Sequence, residues 1–600
     1  MVLRARPYLH YAPVPGGVYF SGPGAQFVIN GPELLYKVAD VCVPLLEEGT
    51  TEDALVTALG SERARPVVRK IVADLAGHDL MLDQGRLTVP EPPAEERERH
   101  AEALAHLEAA LDDPYAVFAR LRSAVVLLCG AADAVLPAAR GLHRAGITAL
   151  TVATPDTDRV ADTADRLGIT VVPTAEGGRL PDPDAVPDRV DAVLCCPDVT
   201  RGDAAREELA RFAAALPTGT LLVPVVGDGH LVVAGPAARA GAVDRAGALL
   251  RRAAARAAAD PSDAPAPQPA AAVLGGALAG HLLFDALAGT GTPGAAHVVH
   301  GAELASEPVV TAAPGEPARP VALTDVHADA DTEADAGTAA AAAPTPEEAV
   351  EAVTALSDRW TGLLTVTPGP ELPQLPLALR EATTEGEPGP LVAWAAEQRT
   401  ATLAAALAAL RRDRPAEHGV AAAGVSEEQW LLDGALRLLA DTAEPCGTWS
   451  SATAAPETAP VLRALAEVGV TPPAVTLLRR PGLDWVLARP SAGDTDLPWN
   501  GASWGRDENE AAHGVLGSLL AAVQAAAAPG GPRVPDGVRT DVLLSADRAE
   551  LALLRRQAVA CALRDGVRHE GTPDREDPVL GTVPLWRGAV AATTHPAVEA

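Results

Sequence analysis

The chain has 600 residues, of which 48% are hydrophobic but only 3% aromatic, and its formal net charge is −31. This length predicts three or four domains with packed cores of Ala, Leu and Val. The negative charge argues against a nucleic-acid partner, because neutralising phosphates requires a basic face. Lys37 and Lys70 are the only lysines, and the abundance of Arg, Ala, Gly and Pro is typical of high-GC bacterial codon usage.

The cysteines and the apolar segments narrow the class of protein further. The six cysteines form no C-x-x-C pair, so the chain lacks the ligands of a four-thiolate zinc site. Adjacent Cys195 and Cys196 end an apolar run and are predicted to be buried structural thiols. The longest apolar stretch, 270–287, contains His281 and Asp285, which favours a buried helix over a membrane span. Because the N-terminus also lacks the apolar core of a signal peptide, we expect a cytoplasmic protein without a metal site.

Residues 1–90 are predicted to form a small winged helix-turn-helix domain, and residues 91–120 a connecting helix. The predicted elements are short strands at 8–11, 18–21 and 26–30 and helices at 33–46, 51–59 and 65–77. Turns containing Pro and Gly separate the strands. Strands followed by three helices in fewer than 90 residues are typical of this domain type.

The first domain has a predicted peptide-binding surface, where an extended peptide adds to a strand edge and lies against the third helix. Its residues are Phe27, Val28, Ile29 and Asn30 on the strand and Arg65, Val68, Arg69, Lys70 and Val72 on the helix. The valines would contact apolar side chains of the peptide, and the basic residues would attract acidic ones. Basic residues on a recognition helix also permit a DNA-binding interpretation, but three positive charges are too few in so acidic a chain. A domain that only packs internally remains the structural alternative.

Residues 121–312 alternate apolar strands and helices, which predicts a doubly wound α/β domain. The predicted strands lie at 124–129, 149–153, 192–196 and 221–226. After the first strand the loop reads Gly130-Ala131-Ala132-Asp133-Ala134. In a dinucleotide or ATP loop, glycines let the backbone close on phosphate and direct its N–H groups at it. Here alanines replace glycines, and Asp133 puts negative charge where the phosphate would bind. The sequence therefore still predicts the α/β fold but argues against nucleotide binding at this loop.

The acids that a nucleotide site needs are displaced as well. Asp156 follows the second strand beyond a proline instead of ending it. Asp191 and Asp198 flank the third strand and could form a metal-side carboxylate pair, with strand termination and helix capping as the alternative. Gly130, Asp133, Asp156 and Asp198 are therefore the residual nucleotide-site positions.

Residues 313–346 are predicted to be a flexible acidic linker, and 261–269 an internal loop. From 347 to 600 we expect an α+β domain. Its predicted Ala-rich helices lie at 395–411, 426–440 and 508–527, with a strand at 483–488. The run Gly501-Ala502-Ser503-Trp504-Gly505 matches the G-x-S-x-G nucleophile elbow, and His513 lies nearby. Because no buried strand directly precedes this run, we interpret the match as chance.

The order of these units resembles a known family. Residues 1–90 resemble the PqqD-like precursor-recognition element of ribosomal-peptide modification enzymes. Residues 121–312 resemble the ThiF-like, ubiquitin-activating-type fold through the strands VLLCG and VDAVLCCPD and the later helix LGGALAGHLLFDALAGTGTP. The segments WTGLLTVTPGPELPQLPLALR and VAAAGVSEEQWLLDGALRLLAD are similar to a degenerate YcaO-type cyclodehydratase region. Together they resemble the ThiF-like F proteins of thiazole- and oxazole-forming pathways, the thiopeptide antibiotic pathways among them.

This resemblance implies a non-catalytic partner that binds the leader of a ribosomally made precursor peptide. It would present the core to a separate YcaO cyclodehydratase, which forms azolines from Cys, Ser and Thr. Activating enzymes of this fold carry a glycine loop, an Asp-x-Asp and zinc cysteines, which are largely missing here, and the YcaO-like end lacks obvious ATP- and magnesium-binding glutamates. The resemblance thus implies no cofactor of the chain's own, because ATP and Mg²⁺ belong to the partner subunit, and it allows a homodimer through the ThiF-like domain. An active ThiF-type adenylating enzyme stays open as the alternative, and a winged-helix transcription regulator is less favoured.

Overall fold

The computed structural model shows a mixed α/β protein built from several sheets and many helices. It divides into two compact units, Met1–Thr311 and Ala312–Ala600. The structure describes residues 2–594 except 175–178, 183–188, 229, 260–269, 302, 314–318, 327–343, 385–388, 414–415, 492–498 and 529–530. The predicted internal loop at 261–269 lies outside the described residues.

The first unit begins with a three-stranded antiparallel sheet followed by three helices. These elements are β1 (His10–Val14), β2 (Gly17–Gly22), β3 (Ala25–Asn30), α1 (Leu34–Glu48), α2 (Glu52–Ala58) and α3 (Arg65–Gly77). Helix α2 begins after Thr51, whose side chain accepts a hydrogen bond from the Ala54 amide at 3.3 Å. The buried core between sheet and helices includes Val18, Phe20, Ile29, Leu46, Leu55, Val68, Ile71 and Leu75.

Three helices, rather than one, occupy the predicted connecting segment and its end. They are α4 (Ala94–Arg99), α5 (Ala101–Ala110) and α6 (Pro114–Ser123). Helix α6 starts where the Asp113 side chain accepts the Ala116 amide and Pro114 takes the first helical position. The buried Arg4 donates to Glu108 at 3.1 Å and to the Tyr115 hydroxyl at 3.1 Å. The N-terminal segment is therefore fixed to α5 and α6 by buried charged groups.

The rest of the first unit is an eight-stranded sheet with helices packed on it. Its elements are β4 (Val125–Gly130), α7 (Ala132–Arg144), β5 (Ala149–Thr154), α8 (Thr157–Leu167), β6 (Thr170–Pro173), β7 (Ala192–Cys196), α9 (Asp203–Ala215), β8 (Leu221–Gly227), β9 (Val232–Ala234), α10 (Ala242–Ala259), α11 (Ala270–Ala288), β10 (Ala295–His300) and β11 (Ala305–Val310). The strand order is β11-β10-β9-β8-β7-β4-β5-β6. Strands β4 to β8 pair in parallel, whereas β9, β10 and β11 add antiparallel. The predicted apolar strands are therefore the parallel part of a mixed sheet.

Helix α11 is long and apolar enough to cross a membrane by length and composition alone, and 44% of its most apolar window is buried inside the structure. It packs on α7 and on strands β7 to β10. Gly276 and Gly280 face α7 so closely that added Cβ atoms would lie 1.9 Å from the Ala134 carbonyl oxygen and 2.8 Å from the Ala138 Cβ. The small residues of both helices thus set the distance between them.

The described residues of the second unit form four sheets, with strand orders β12-β22-β25-β16, β13-β14-β15, β17-β18-β19-β20-β21 and β23-β24. Its elements are β12 (Val321–Ala322), α12 (Pro346–Leu356), β13 (Leu364–Thr367), β14 (Ala378–Thr384), β15 (Leu391–Ala395), α13 (Gln398–Asp413), β16 (Val420–Gly424), α14 (Glu427–Ala440), β17 (Glu444–Trp449), α15 (Thr458–Glu467), β18 (Val475–Arg479), β19 (Val486–Pro490), β20 (Ala502–Gly505), α16 (Glu508–Ala526), β21 (Val538–Arg539), α17 (Arg548–Arg564), β22 (Val567–Pro573), β23 (Glu576–Asp577), β24 (Gly581–Thr582) and β25 (Trp586–Thr594). Apolar faces of α13, α14 and α16 pack against these sheets.

Part of the predicted linker at 313–346 belongs to the second unit. Strand β12 pairs antiparallel with β22, and Leu323 and Val326 are buried beside it. At the other end, Thr345 forms a capping box with Glu348 at the start of α12. The acidic composition predicts a flexible segment, but β12 is ordered because it pairs with a strand more than 200 residues away. Residues 314–318 and 327–343 of the predicted linker lie outside the described residues.

Candidate functional site

Strand β3 has an open edge, because β2 is its only neighbour in the described three-stranded sheet. Gly31 donates its N–H to the Gly16 carbonyl, and the register pairs Val18 with Ile29. Hydrogen-bonded and non-hydrogen-bonded pairs alternate along an antiparallel ladder. Ile29 therefore bonds to β2, whereas the N–H and C=O of Val28 point toward the open edge.

The predicted strand residues have different environments on this edge. The Val28 side chain is 46% exposed, and Asn30 is also exposed. Ile29 is buried in the core. The Phe27 ring stacks on His78, which ends α3, with 3.8 Å between the ring centroids. The C-terminal end of α3 therefore lies beside β3.

The predicted helix residues are only partly available to a peptide. Val68 is buried in the core, so our prediction that it contacts a bound leader does not fit its position, whereas Val72 is half-buried. Val68 is buried because it belongs to the apolar stripe of α3, and an amphipathic helix packs its apolar face against the core.

The basic residues of α3 already have acidic partners. Arg65 lies 2.9 Å from Glu52, 2.7 Å from Asp53 and 2.9 Å from Glu62. Its hydrogen bonds hold the pKa values of Glu52 and Glu62 below their usual range. Of the basic residues predicted for this helix, Arg65 is therefore the one most committed to partners within the domain.

Arg69 and Lys70 are more available. Arg69 contacts Glu52 at 2.8 Å and Lys70 contacts Asp74 at 3.1 Å, and both basic side chains are more than half exposed. Exposed ion pairs contribute only about 0–1 kcal/mol, so a ligand carboxylate can compete for these two cations.

The loop after β4 closes on its own side chains. The first amide of α7, that of Ala132, donates to the Asp156 carboxylate at 3.0 Å. Asp133, in the first turn of the helix, forms an ion pair with Arg159. The N–H groups and positive dipole that bind phosphate in nucleotide sites therefore face a carboxylate of the same chain.

The other residual nucleotide-site positions have structural partners. Gly130 has φ 145°, and a Cβ there would lie 2.3 Å from the Cys196 carbonyl oxygen, so contact between β4 and β7 requires this glycine. Asp198 accepts hydrogen bonds from the amide and hydroxyl of Thr200, at 3.0 and 2.7 Å, and caps a short 3₁₀ helix. The flanking Asp191 accepts the Val125 amide at 2.9 Å. The capping alternative therefore accounts for both aspartates.

Neither the pair Cys195 and Cys196 nor the serine motif shows a reactive arrangement. Cys195 and Cys196 are buried, and burial raises the pKa of both thiols. Ser503 lies inside β20, and His513 contacts the Thr458 hydroxyl at 3.2 Å. Within the residues that the structure describes, no hydrogen bond joins Ser503 to His513, and no group of three or more His, Cys, Asp or Glu residues could hold a metal ion.

The second unit contains a cavity of about 510 Å³ that the sequence did not predict. Arg411, Arg437 and Arg539 line it from α13, α14 and β21. These positions are separated by up to about 130 residues, and Arg412, next to Arg411, also lines the cavity. No local spacing could have identified them as a group.

No protein-family model and no curated protein matches the sequence. Among solved structures, a heterocyclase in complex with substrate and cofactor matches 98% of this chain and 94% of its own, with TM-score 0.54 and 14% identity. E. coli MccB with ATP matches 52% of this chain and 97% of its own, with TM-score 0.37 and 11% identity. MccB with N-formylated MccA matches the same shares at 10% identity and TM-score 0.37. The chain and the heterocyclase therefore share a fold over nearly their whole lengths.

Proposed function

We propose that this chain binds the leader of a ribosomally made precursor peptide. It presents the core to a separate ATP-dependent YcaO cyclodehydratase, which forms azolines from Cys, Ser and Thr. In this proposal the first 90 residues are a PqqD-like winged-helix element, the next domain is a ThiF-like scaffold and the C-terminal domain is a degenerate YcaO-like region. A cytoplasmic location, a thiopeptide-type pathway and a homodimer through the ThiF-like domain are parts of the same proposal.

The observation that carries the proposal is the open edge of β3. Val28 offers an outward N–H and C=O beside an exposed side chain, which is what strand addition by a peptide requires. Phe27 supplies apolar surface at that edge, and on α3 Val72 is half-buried while Arg69 and Lys70 are exposed cations for acidic leader residues. Binding the leader raises the effective concentration of the core at the partner's active site.

The N-terminal end of α7 supports a non-catalytic role. The Asp156 carboxylate accepts a hydrogen bond from the Ala132 amide, the group that would otherwise donate to a nucleotide phosphate. Asp133 adds negative charge at the same loop. An incoming phosphate must displace one carboxylate and approach another. The chain shares its fold with a heterocyclase whose structure contains substrate and cofactor. This likeness supports a role in heterocycle formation, carried out here through a partner.

Strand addition can be tested at one backbone group. Val28→Pro removes the outward N–H, and proline is tolerated on an edge strand whose N–H faces solvent. We expect Val28→Pro to weaken binding of a fluorescently labelled leader peptide from a candidate precursor by about tenfold or more, since one hydrogen bond is lost and the strand is blocked. Fluorescence anisotropy measures the affinity.

Val28→Thr keeps the N–H and is the matched control, so its affinity should remain close to that of the unmodified chain. The double variant Arg69→Glu/Lys70→Glu reverses the two exposed charges of α3 and should also weaken the binding of an acidic leader. Equal affinity for Val28→Pro and Val28→Thr would rule out strand addition at β3.

The adenylating alternative makes a separate prediction. If the carboxylates at the α7 loop exclude nucleotide phosphate, the isolated chain releases no pyrophosphate from ATP, with or without the leader. A coupled pyrophosphate assay measures this, and E1-type activity of an authentic adenylating enzyme is the positive control. Leader-dependent pyrophosphate release would favour the adenylating enzyme instead.

A further inference from the structure

The cavity in the second unit is not used by the proposed function. Its volume of about 510 Å³ is that of a small-molecule site. Trp394 and Trp499 contribute to its walls, and Arg411, Arg437 and Arg539 bring three guanidinium groups to it. Apolar surface combined with a few convergent polar groups is the usual composition of a ligand pocket.

Two of these arginines share a single carboxylate. The Nε atoms of Arg411 and Arg437 donate to the two oxygens of Asp433, each at 2.8 Å. Asp433 is fully buried and also accepts hydrogen bonds from the Thr540 hydroxyl and the Ala423 amide. In the described part of the chain, both terminal nitrogens of Arg411 and Nη1 of Arg437 have no hydrogen-bond partner. The pair therefore keeps one uncompensated positive charge and three free donor groups.

Arg539 adds a third guanidinium. Its Nε lies 3.0 Å from the Asp541 carboxylate, and its Nη2 donates to the Trp394 carbonyl at 3.0 Å. The guanidinium carbon Cζ lies 4.0 Å from the centroid of the Trp394 ring. Burial lowers the pKa of both Arg437 and Arg539. Arg411, Arg437 and Arg539 exceed Asp433 and Asp541 by one positive charge, and an anion in the cavity would offset the cost of burying it. Arg412 lines the cavity as well, and its Nη1 donates to the Gly389 carbonyl at 3.2 Å.

The mouth of the cavity limits the charge of a ligand. Asp441 and Asp536 are exposed there, and they would repel a ligand of high negative charge such as a nucleoside triphosphate. Guanidinium groups bind oxyanions directly and in a fixed geometry, so a divalent cation has no role to fill beside them.

We propose that this cavity binds a small organic oxyanion of low charge, held directly by Arg411, Arg437 and Arg539 without a divalent cation. The apolar part of the ligand packs against Val420, Val534 and Val538, which also line the cavity and are only partly buried. The shared chemistry is an oxyanion on a flat apolar body, which a carboxylate or a phosphate monoester can supply.

Calorimetric titration of the full chain tests the proposal with benzoate and phenyl phosphate as probes, each in EDTA and again with MgCl₂. We expect at least one probe to bind in EDTA, with an affinity that MgCl₂ leaves unchanged. The better probe identifies the oxyanion as a carboxylate or a phosphate. Mg²⁺-ATP should bind more weakly than that probe.

Two variants alter the cavity in different ways. Arg411→Gln removes one guanidinium, and Ala408→Phe fills the cavity without removing any charge; each should weaken the better probe about tenfold or more. Arg399→Gln removes an exposed arginine of the same unit, paired with Glu347, and should leave the affinity unchanged. The proposal is overturned if neither probe binds, if binding requires Mg²⁺, if Mg²⁺-ATP binds more tightly, or if Ala408→Phe binds like the unmodified chain.

Discussion

Asp156 shows how one side chain changes what a loop can bind. A nucleotide loop leaves the first amides of its helix free for phosphate, whereas here the Asp156 carboxylate accepts the Ala132 amide. Because this carboxylate is part of the chain, its effective concentration at the helix end is high. Gly130 survives for another reason, the close approach of the Cys196 carbonyl. The glycine and the displaced acid of this loop thus both have structural partners within the domain.

His569 makes the stability of the second unit depend on pH. It lies in β22 and is 4% exposed, and burial lowers its pKa from 6.5 to about 4. The folded state therefore keeps the imidazole neutral where the unfolded chain protonates it. Stability that this group contributes is present above pH 6.5 and is lost as the pH falls toward 4. The loss reaches about 3 kcal/mol, at about 1.4 kcal/mol per pKa unit.

Urea unfolding at several pH values between 7 and 4 measures this loss. Because carboxylates titrate in the same range, the unmodified chain is compared with the variant His569→Leu. This variant should lose less stability than the unmodified chain between pH 7 and pH 4. His418→Leu replaces an exposed histidine of the same unit and should follow the unmodified chain. Parallel losses in the unmodified chain and His569→Leu would contradict the expected pKa shift.

At the scale of elements, the contact between α7 and α11 depends on small residues. The two helices approach so closely that Gly276 faces the Ala134 carbonyl and Gly280 faces Ala138. Ala134 and Ala138 lie on the side of α7 that faces α11, so the close contact uses the surface that these small residues provide. Glycine on the partner helix compensates for the methyl groups on α7.

Gly276→Ala should destabilise the first unit by about 3 kcal/mol, because its Cβ would meet the Ala134 carbonyl oxygen and the helices must separate. Gly141→Ala is the matched control: it lies in α7, and an added Cβ there has no atom within 4 Å among the described residues. It should stabilise the helix by about 0.5–1 kcal/mol. Urea denaturation measures both changes, and equal effects of the two substitutions would contradict the close-packing argument.

At the scale of the whole molecule, local pattern predicted the long elements and missed the distant pairings. Helix α3 is where its apolar spacing placed it, and α14 begins one residue after Ser426, its cap. The two-residue strand β12 was missed because it depends on β22, about 250 residues away. The edge of β3 followed from the strand pattern. The apolar stripe of α3 predicted a core position for Val68, which is buried, but the same stripe also fits a groove and so suggested a contact with a leader as well. The cavity arginines gave no signal, because folding alone brings them together.

The division into two units also separates the aromatic residues. All eight tryptophans lie in Ala312–Ala600, and all five tyrosines and five phenylalanines lie in Met1–Thr311. Tryptophan fluorescence therefore originates only from the second unit, while every tyrosine belongs to the first. The unfolding of each unit can be followed in the intact, unlabelled chain by its own natural chromophore.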